Sequence, residues 1–398
     1  MHRTRNAEQD LKRSLRLVRP LLRIVGAWPR PSASPVSSKV LDRSIIFLSY
    51  FVQLLVLVPS FLYVFVKEKN SRRQMKLLMP HINGLCQLCK YSILLHRMHE
   101  FLTTLDEIRD DWLNATEENR LIFRTNAKIG HKVVLIVAMT LYSGGLCYRT
   151  ILPLSKGKIV LPDNTTIRLL PCPSYFVFFD EQTTPYYEII FTLQVLGGFL
   201  TYTILCGTLG IFAFFSLHMC SLLDILVNKM LELTSQSDTS EIAVQNKIVK
   251  IIEYQTKIKR FLAKIEQITP YLCFIEIVNQ TGMACILGYC IIMEWEESNA
   301  TAIIIYLLIQ ITSISITFTT CYVGQLLIDA SNNVRRTATT LNWYRFPTRK
   351  ARYLVLMIIM SNRPTKLTAG KVVEVSLATF TDIMKASMGY LNVLRGVV

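Results

Sequence analysis

Charge is scarce in this chain. Only 18% of its 398 residues are Asp, Glu, Lys or Arg, whereas 51% are hydrophobic, and the mean hydropathy is +0.34. Soluble domains carry about 25% charged residues. The shortage of charge excludes an ordinary soluble domain and favours a protein that lies in a lipid bilayer.

The sequence also lacks the motifs of common catalytic and cofactor sites. It contains no GxSxG, HExxH or P-loop, and no GxGxxG in a strand-turn-helix setting. Two short pairs, Cys86-x-x-Cys89 and His96-x-x-His99, each offer two ligands, fewer than a zinc site needs. The ten cysteines are scattered and imply no disulfide framework. We therefore expect neither an enzyme nor a metal or other cofactor.

Basic residues are in excess, with a formal net charge of +16. They concentrate in the arm 1–43 and beside apolar runs, which is typical of a membrane protein and not of a nucleic-acid-binding patch. This basic arm precedes the first apolar run, so we expect no cleavable signal peptide. Its leucines alternate with arginines as in an amphipathic helix. Such a helix lies either on the inner membrane surface or against other cytoplasmic parts of the protein.

Seven stretches are long enough to cross about 30 Å of hydrocarbon as helices. Five of them are strongly apolar, namely 44–66, 129–148, 188–217, 268–293 and 302–328. Two weaker stretches, 75–95 and 372–393, contain charged residues such as Lys90 and Asp382 and must face protein or water. The sequence predicts an all-α membrane protein with seven transmembrane helices.

Loop charges predict the orientation of these helices. Three segments on the side of the amino terminus, 97–128, 220–267 and 329–371, contain five, seven and nine Lys or Arg residues, whereas the turn 294–300 has none. By the positive-inside rule the amino terminus is cytoplasmic, and seven spans place the carboxyl terminus outside. The basic link 67–76 disagrees, because this scheme places it outside.

Two glycosylation sequons fall in predicted outside loops. Asn164 and Asn299 each begin an Asn-x-Thr triplet. We expect both to be available for glycosylation.

Three parts of the sequence resemble the insect odorant receptor family. Residues 22–29, LRIVGAWP, are similar to its GxWP motif before the first span, and 173–188 are similar to its aromatic-Pro-Tyr-Glu signature. The carboxyl end is the most specific. The segments NWY at 342–344, LTAGK at 367–371, SLATFT at 376–381 and YLNVL at 390–394 follow the order and spacing of the family.

The resemblance implies an odorant-gated, non-selective cation channel in the plasma membrane of olfactory sensory neurons. The chain would be a tuning subunit in a heterotetramer with a shared co-receptor subunit. Residues 329–371 would form a cytoplasmic anchor between subunits, although an interfacial membrane helix also fits the pattern. Residues 372–398 would line the pore, with burial in the bundle as the alternative. The implied gate comprises Asn392, Val393, Gly396 and Val397.

The resemblance also implies a site for a small, volatile, apolar ligand in the outer half of 44–328, among spans two to six. Such sites are concave and mostly apolar. The candidates are Met79, Ile82, Leu85, Tyr142, Gly145, Leu146, Phe191, Gln194, Val195, Tyr306 and Ile309. Each also fits ordinary core packing, because an apolar membrane interior looks the same in both cases.

Other classes of membrane protein differ from an odorant receptor in ways that can be tested. A gustatory receptor of the same superfamily would work without the co-receptor. A transporter or membrane-bound enzyme would show substrate flux or turnover without conductance. G-protein-coupled receptors place the amino terminus outside, and their motifs after the third span and in the last span are missing here.

Overall fold

The computed structural model describes residues 2–28, 35–155, 157–160, 166–176, 181–235, 241–341, 348–362 and 365–397. Twelve α-helices and two short hairpins form the described part. In chain order they are α1 (His2–Ser14), α2 (Val18–Ile24), α3 (Val36–Leu62), α4 (Ser71–His96), α5 (Met98–Asn114), α6 (Glu117–Leu146), α7 (Leu152–Ser155), β1 (Lys158–Val160), β2 (Thr166–Arg168), α8 (Tyr186–Ser235), α9 (Glu241–Glu296), α10 (Ala300–Thr340), α11 (Thr348–Ser361), β3 (Thr368–Ala369), β4 (Val373–Glu374) and α12 (Leu377–Val397). One π-helical turn, Tyr63–Lys67, ends α3, and another, Cys147–Ile151, ends α6.

Within the described ranges, five helical segments are long and apolar enough to cross a membrane, and each contains one of the five strongly apolar stretches. They are Val36–Lys67, Glu117–Ser155, Tyr186–Leu233, Val244–Glu296 and Ala300–Thr340. The two weaker predicted spans correspond to α4 and α12. These two helices therefore depend on protein neighbours more than on lipid.

Helix α8 forms the centre of the bundle. In its most apolar stretch 89% of the residues are buried, against 33% for α3. It packs against α2, α3, α4, α6, α9 and α10. The outer helices keep large apolar side chains exposed, such as Phe47 and Phe51 on α3, which suits contact with lipid.

Two helices extend far beyond the membrane. With 50 and 56 residues, α8 and α9 measure about 75 Å and about 84 Å at 1.5 Å per residue. The segment 220–267, interpreted from the sequence as a linker, is therefore mostly the ends of these two helices. Many of its apolar side chains, including Leu226 and Ile258, are buried, so packing continues the helices past the membrane.

The last helix begins later than predicted. The expected span 372–393 includes strand β4, because the chain first forms an antiparallel hairpin of β3 with β4. Gly370 and Lys371 turn this hairpin with φ of +61° each. The Gly370 N–H donates to the Pro270 carbonyl at 2.9 Å, and a Cβ at Gly370 would lie 2.9 Å from the Phe274 ring. Helix α12 therefore starts only at Leu377.

The amphipathic amino-terminal arm packs against the bundle. Val18 and Leu22 on α2 are 5% and 0% exposed. They fit into notches of α8, where a Cβ at Gly210 would lie 2.7 Å from Val18 and one at Gly207 would lie 2.8 Å from Leu22. Helix α2 therefore packs on α8, while the place of the arm at the inner membrane surface or on cytoplasmic parts of the protein stays a prediction.

Candidate ligand-binding site

A cavity lies between α4, α6, α8, α9 and α10, in the half of the bundle nearer the turn between α9 and α10. Its unfilled space, counting the openings, is about 580 Å³. It is lined by Met79, Pro80, Asn83, Leu141, Gly145, Tyr148, Arg149, Tyr202, Leu205, Gln280, Met283, Ile309, Thr312, Ser313 and Ile316. An apolar cavity with a few polar groups is the usual form of a small-molecule site.

Two glycines shape one wall of the cavity. A Cβ at Gly145 would lie 2.3 Å from the Tyr202 ring, and one at Gly198 would lie 2.2 Å from Arg149 Nε. These positions leave room for the two large side chains because glycine has no Cβ. The Tyr202 hydroxyl donates to the Gly145 carbonyl at 3.3 Å. Arg149 Nε donates to the Tyr202 hydroxyl oxygen at 3.3 Å.

A chain of polar side chains runs from the cavity to a buried ion pair. Ser313 and Gln280 line the cavity; the Ser313 hydroxyl donates to Gln280 Oε1, and Gln280 Nε2 donates to Glu276 Oε1, both at 2.6 Å. Glu276 pairs with Lys90 of α4, and the two residues are 6% and 2% exposed. Buried charges need such partners.

Three predicted ligand residues, Met79, Gly145 and Ile309, line this cavity. Three others have structural partners nearby. The Tyr142 hydroxyl shares a hydrogen bond of 2.7 Å with Thr203 Oγ1, and Tyr306 packs on Tyr148 with ring centroids 6.3 Å apart. Gln194 accepts from the Cys172 N–H at 2.9 Å and donates to the Cys172 carbonyl at 2.7 Å.

The remaining predicted ligand residues do not line the cavity. Leu85 and Leu146 are 46% and 42% exposed, so they point out of the bundle. Phe191 packs on Tyr187 at a centroid distance of 6.0 Å. Ile82 and Val195 are partly buried elsewhere. The assignment of all eleven residues to a ligand site stays a prediction.

Sequence reasoning missed most of the cavity wall, including Arg149, Tyr202 and Gln280. Arg149 directly follows the predicted span 129–148 and was not among the candidates. The glycines at 145 and 198 could have indicated this wall, because small residues in membrane helices mark places where two helices, here α6 and α8, approach closely.

One face of α12 packs on α9. The Ser387 hydroxyl donates to the Thr281 carbonyl at 3.4 Å, and a Cβ at Gly288 would lie 2.9 Å from Leu391. The predicted gate residues Asn392 and Val393 are exposed, Val393 to 65%. The other two, Gly396 and Val397, belong to the helix, but the description of side chains ends at residue 394.

Helix α11 of the predicted anchor has a buried face and an exposed apolar face. Leu354 and Met357 are fully buried, whereas Tyr353, Leu356 and Ile359 are 44%, 47% and 58% exposed. An exposed apolar face of this kind is open to a partner surface or to lipid. The NWY motif at 342–344 lies outside the described residues.

The two sequons differ in what the structure describes. Asn164 lies outside the described residues. Asn299 precedes α10 as its N-cap, and its side chain accepts from the Ala302 N–H at 3.3 Å. Glycosylation at both stays a prediction.

At the opposite end of the bundle, Asp111 connects three helices. This residue of α5 accepts a hydrogen bond from His218 of α8 at 3.2 Å and one from Lys257 of α9. Burial by itself raises the pKa of Asp111, but the hydrogen bonds and attraction of His218 and Lys257 outweigh it and hold the pKa below its ordinary value. Asp111 is therefore a carboxylate at neutral pH.

The fold defines a multi-pass membrane protein whose described helices enclose a mostly apolar cavity. The sequence profile of the family described as 7tm Odorant receptor matches residues 70–388. The chain belongs to this family, which confirms the resemblance found in its motifs. The family is one of receptors and not of enzymes.

Two relatives show how far the sequence has diverged. Odorant receptor 30a of Drosophila melanogaster is 23% identical over 249 residues, which cover 61% of this chain and 63% of that protein. Odorant receptor 10 of Aedes albopictus is 25% identical over 245 residues, covering 60% and 63%. The chain thus matches somewhat less than two thirds of the length of either relative.

Solved structures match over nearly the whole chain. The insect olfactory receptor OR5 from Machilis hrabei in complex with eugenol has a TM-score of 0.81 at 14% identity, covering 99% of this chain and 100% of that one. A second structure of that receptor has a TM-score of 0.76 and covers 96% and 98%. At this identity the match shows the fold, and it confirms the predicted all-α, seven-helix membrane architecture.

Proposed function

We propose that this chain is the tuning subunit of an odorant-gated, non-selective cation channel. It assembles with a co-receptor subunit as a heterotetramer in the plasma membrane of olfactory sensory neurons. The amino terminus is cytoplasmic and the carboxyl terminus is extracellular, so the cavity lies in the outer half of the membrane.

The observation that carries this proposal is the position of α9 between the cavity and α12. Gln280 and Met283 face the cavity, while Thr281 and Gly288 contact α12. A ligand that shifts α9 therefore shifts α12 with it. Because cores are close-packed, small displacements pass between touching helices.

The exposed face of α12 supplies the pore. Asp382 and Lys385 lie on this face, away from α9, where water would solvate their charges. Val393 lies near its end, and a ring of such apolar side chains from four subunits closes a pore by dewetting. The exposed apolar face of α11 fits contacts between subunits at the cytoplasmic end.

The first test is expression with and without the co-receptor subunit, with surface labelling and a panel of odorants. We expect odorant-evoked, non-selective cation current only in the pair. Surface-expressed pairs that give no current with any odorant would contradict the proposal. Current from the chain alone would indicate the gustatory mode, and substrate flux without conductance a transporter.

A matched pair of variants tests the coupling through α9. Gly288→Ala places a methyl group against Leu391, whereas a Cβ at Gly282, on the same helix, meets nothing within 4 Å. We expect Gly288→Ala to change the open probability at saturating odorant and Gly282→Ala to leave it unchanged. Identical gating of both variants would argue against transmission at this contact.

A further inference from the structure

Arg149 is a buried cation whose bonding partners are uncharged. It lies on the π-helical turn after α6, lines the cavity and is 6% exposed. Its NH1 group donates to the Gln194 carbonyl at 2.8 Å and its Nε to the Tyr202 hydroxyl at 3.3 Å, and it also contacts the Cys172 thiol. A guanidinium has five N–H donors, so it keeps capacity for a further acceptor.

Two cations of α4, in contrast, are paired with carboxylates. Lys90 pairs with Glu276, and Lys76 lies 3.0 Å from Glu294. Among the described residues, no carboxylate oxygen comes within 4 Å of Arg149. A buried charge without a counterion is strongly unfavourable. Arg149 therefore lacks an anion that would neutralise its guanidinium.

A second, smaller cavity adjoins Arg149 on its other side. Arg149 and Pro80 belong to the linings of both cavities. The smaller one also contains Gln53 of α3 and His81 of α4, which are 2% and 1% exposed. Neither amide atom of Gln53 has a hydrogen-bond partner, and neither has His81 Nε2. An unsatisfied buried polar group calls for an explanation, and a bound water or ligand is one of them.

We propose that Arg149 binds the carboxylate of the ligand, and that this subunit is tuned to small carboxylic acids with an apolar tail. The carboxylate neutralises the guanidinium in a charge-assisted, bidentate pair, with Gln53 Nε2 as a further donor. The tail occupies the larger cavity, against Met79, Ile309 and Ile316. This assignment of a ligand class rests on the proposed function of the cavity as the odorant site.

The test compares three ligands of one chain length, namely hexanoate, 1-hexanol and methyl hexanoate. Binding is measured by thermal shift of the purified receptor complex at pH 7, and gating by current in the expressed pair. We expect hexanoate to bind and activate at concentrations at least tenfold below those of the alcohol and the ester. In Arg149→Gln we expect the half-effective concentration of hexanoate to rise at least tenfold, the loss that one charge-assisted hydrogen bond represents.

Two further variants separate the loss of a ligand contact from misfolding and from a general effect of replacing an arginine. Gln53→Leu removes a group without partners, so it should fold, and it should weaken hexanoate more than 1-hexanol. Arg109→Gln is the control, because Arg109 pairs with Glu8 on the surface at 3.1 Å, and its response to hexanoate should match the wild type. If Arg149→Gln does not reach the surface, Gln53→Leu decides.

The outcomes separate this inference from the proposed function. The inference is overturned if neutral odorants evoke current and hexanoate is not preferred to them. It is also overturned if the wild type and both cavity variants respond equally. Neither result contradicts the proposed channel. Binding of hexanoate that depends on Arg149, without current from any odorant, supports the inference and contradicts the channel. Equal thermal shifts with all three ligands overturn the inference as well.

Discussion

The buried Lys90–Glu276 pair predicts how thermal stability changes when one or both of its charges are removed. Lys90→Met leaves a carboxylate without a cation, and Glu276→Gln leaves an ammonium without an anion. Removing one partner of a buried pair costs about 3–5 kcal/mol. The side chains are only 3% and 8% exposed, so water cannot replace the missing partner. The glutamine keeps an oxygen to accept from Gln280, so this variant isolates the charge.

The double variant Lys90→Met/Glu276→Gln removes both charges together. Replacing a buried pair by uncharged groups is often close to neutral, so the double variant should regain most of what either single variant loses. The assay is the temperature at which the purified protein loses its monodisperse peak in size-exclusion chromatography. We expect a decrease of about 4–6 °C for each single variant and a smaller one for the double variant.

A matched pair on the surface provides the control. Lys366 and Glu374 lie 2.7 Å apart, with side chains 34% and 51% exposed. Exposed pairs contribute about 0–1 kcal/mol, so Lys366→Met should change the melting temperature little. The reasoning would be refuted if the single variants at Lys90 and Glu276 changed the melting temperature as little as Lys366→Met does. It would also be refuted if the decrease in the double variant equalled the sum of the two single decreases.

Three other predictions follow from the cavity, the last helix and the contacts of Asp111. Gly145→Ala places a methyl group 2.3 Å from the Tyr202 ring, so we expect a smaller cavity and weaker responses to the bulkiest odorants; unchanged tuning in a dose-response panel would remove this wall from the site. Val393→Cys, on the exposed face of α12, should react with water-soluble thiol reagents and reduce current, and an inert thiol in the open channel would exclude this residue from the pore. Because the pKa of Asp111 is lowered in the folded state, its stabilising effect is present at neutral pH and is lost as the pH falls through that lowered pKa. The melting temperature of Asp111→Asn should therefore lie below that of the wild type at pH 7 and approach it in acid, whereas a difference independent of pH would contradict the role of this carboxylate.

The choice of ligand residues shows where reasoning from the sequence ends. Met79, Ile82 and Leu85 lie on one helix, but six residues at 100° each rotate Leu85 by 240° from Met79. Met79 therefore lines the cavity while Leu85 is 46% exposed. In a membrane an apolar side chain can meet lipid as well as protein, so hydropathy alone does not tell which apolar residues of α4 face the cavity.

The sequence by itself determined the seven spans, the unusual polarity of the second and the last, and the family. Span length, hydropathy and the motifs at the carboxyl end are local properties, and the bilayer imposes length and polarity directly. Tertiary structure alone decided that Arg149, Tyr202 and Gln280 share one cavity and that a hairpin delays the start of α12. These features depend on which helix faces meet and on how closely glycines such as Gly145 and Gly198 let them approach, and packing is a property of pairs of surfaces, not of a single segment.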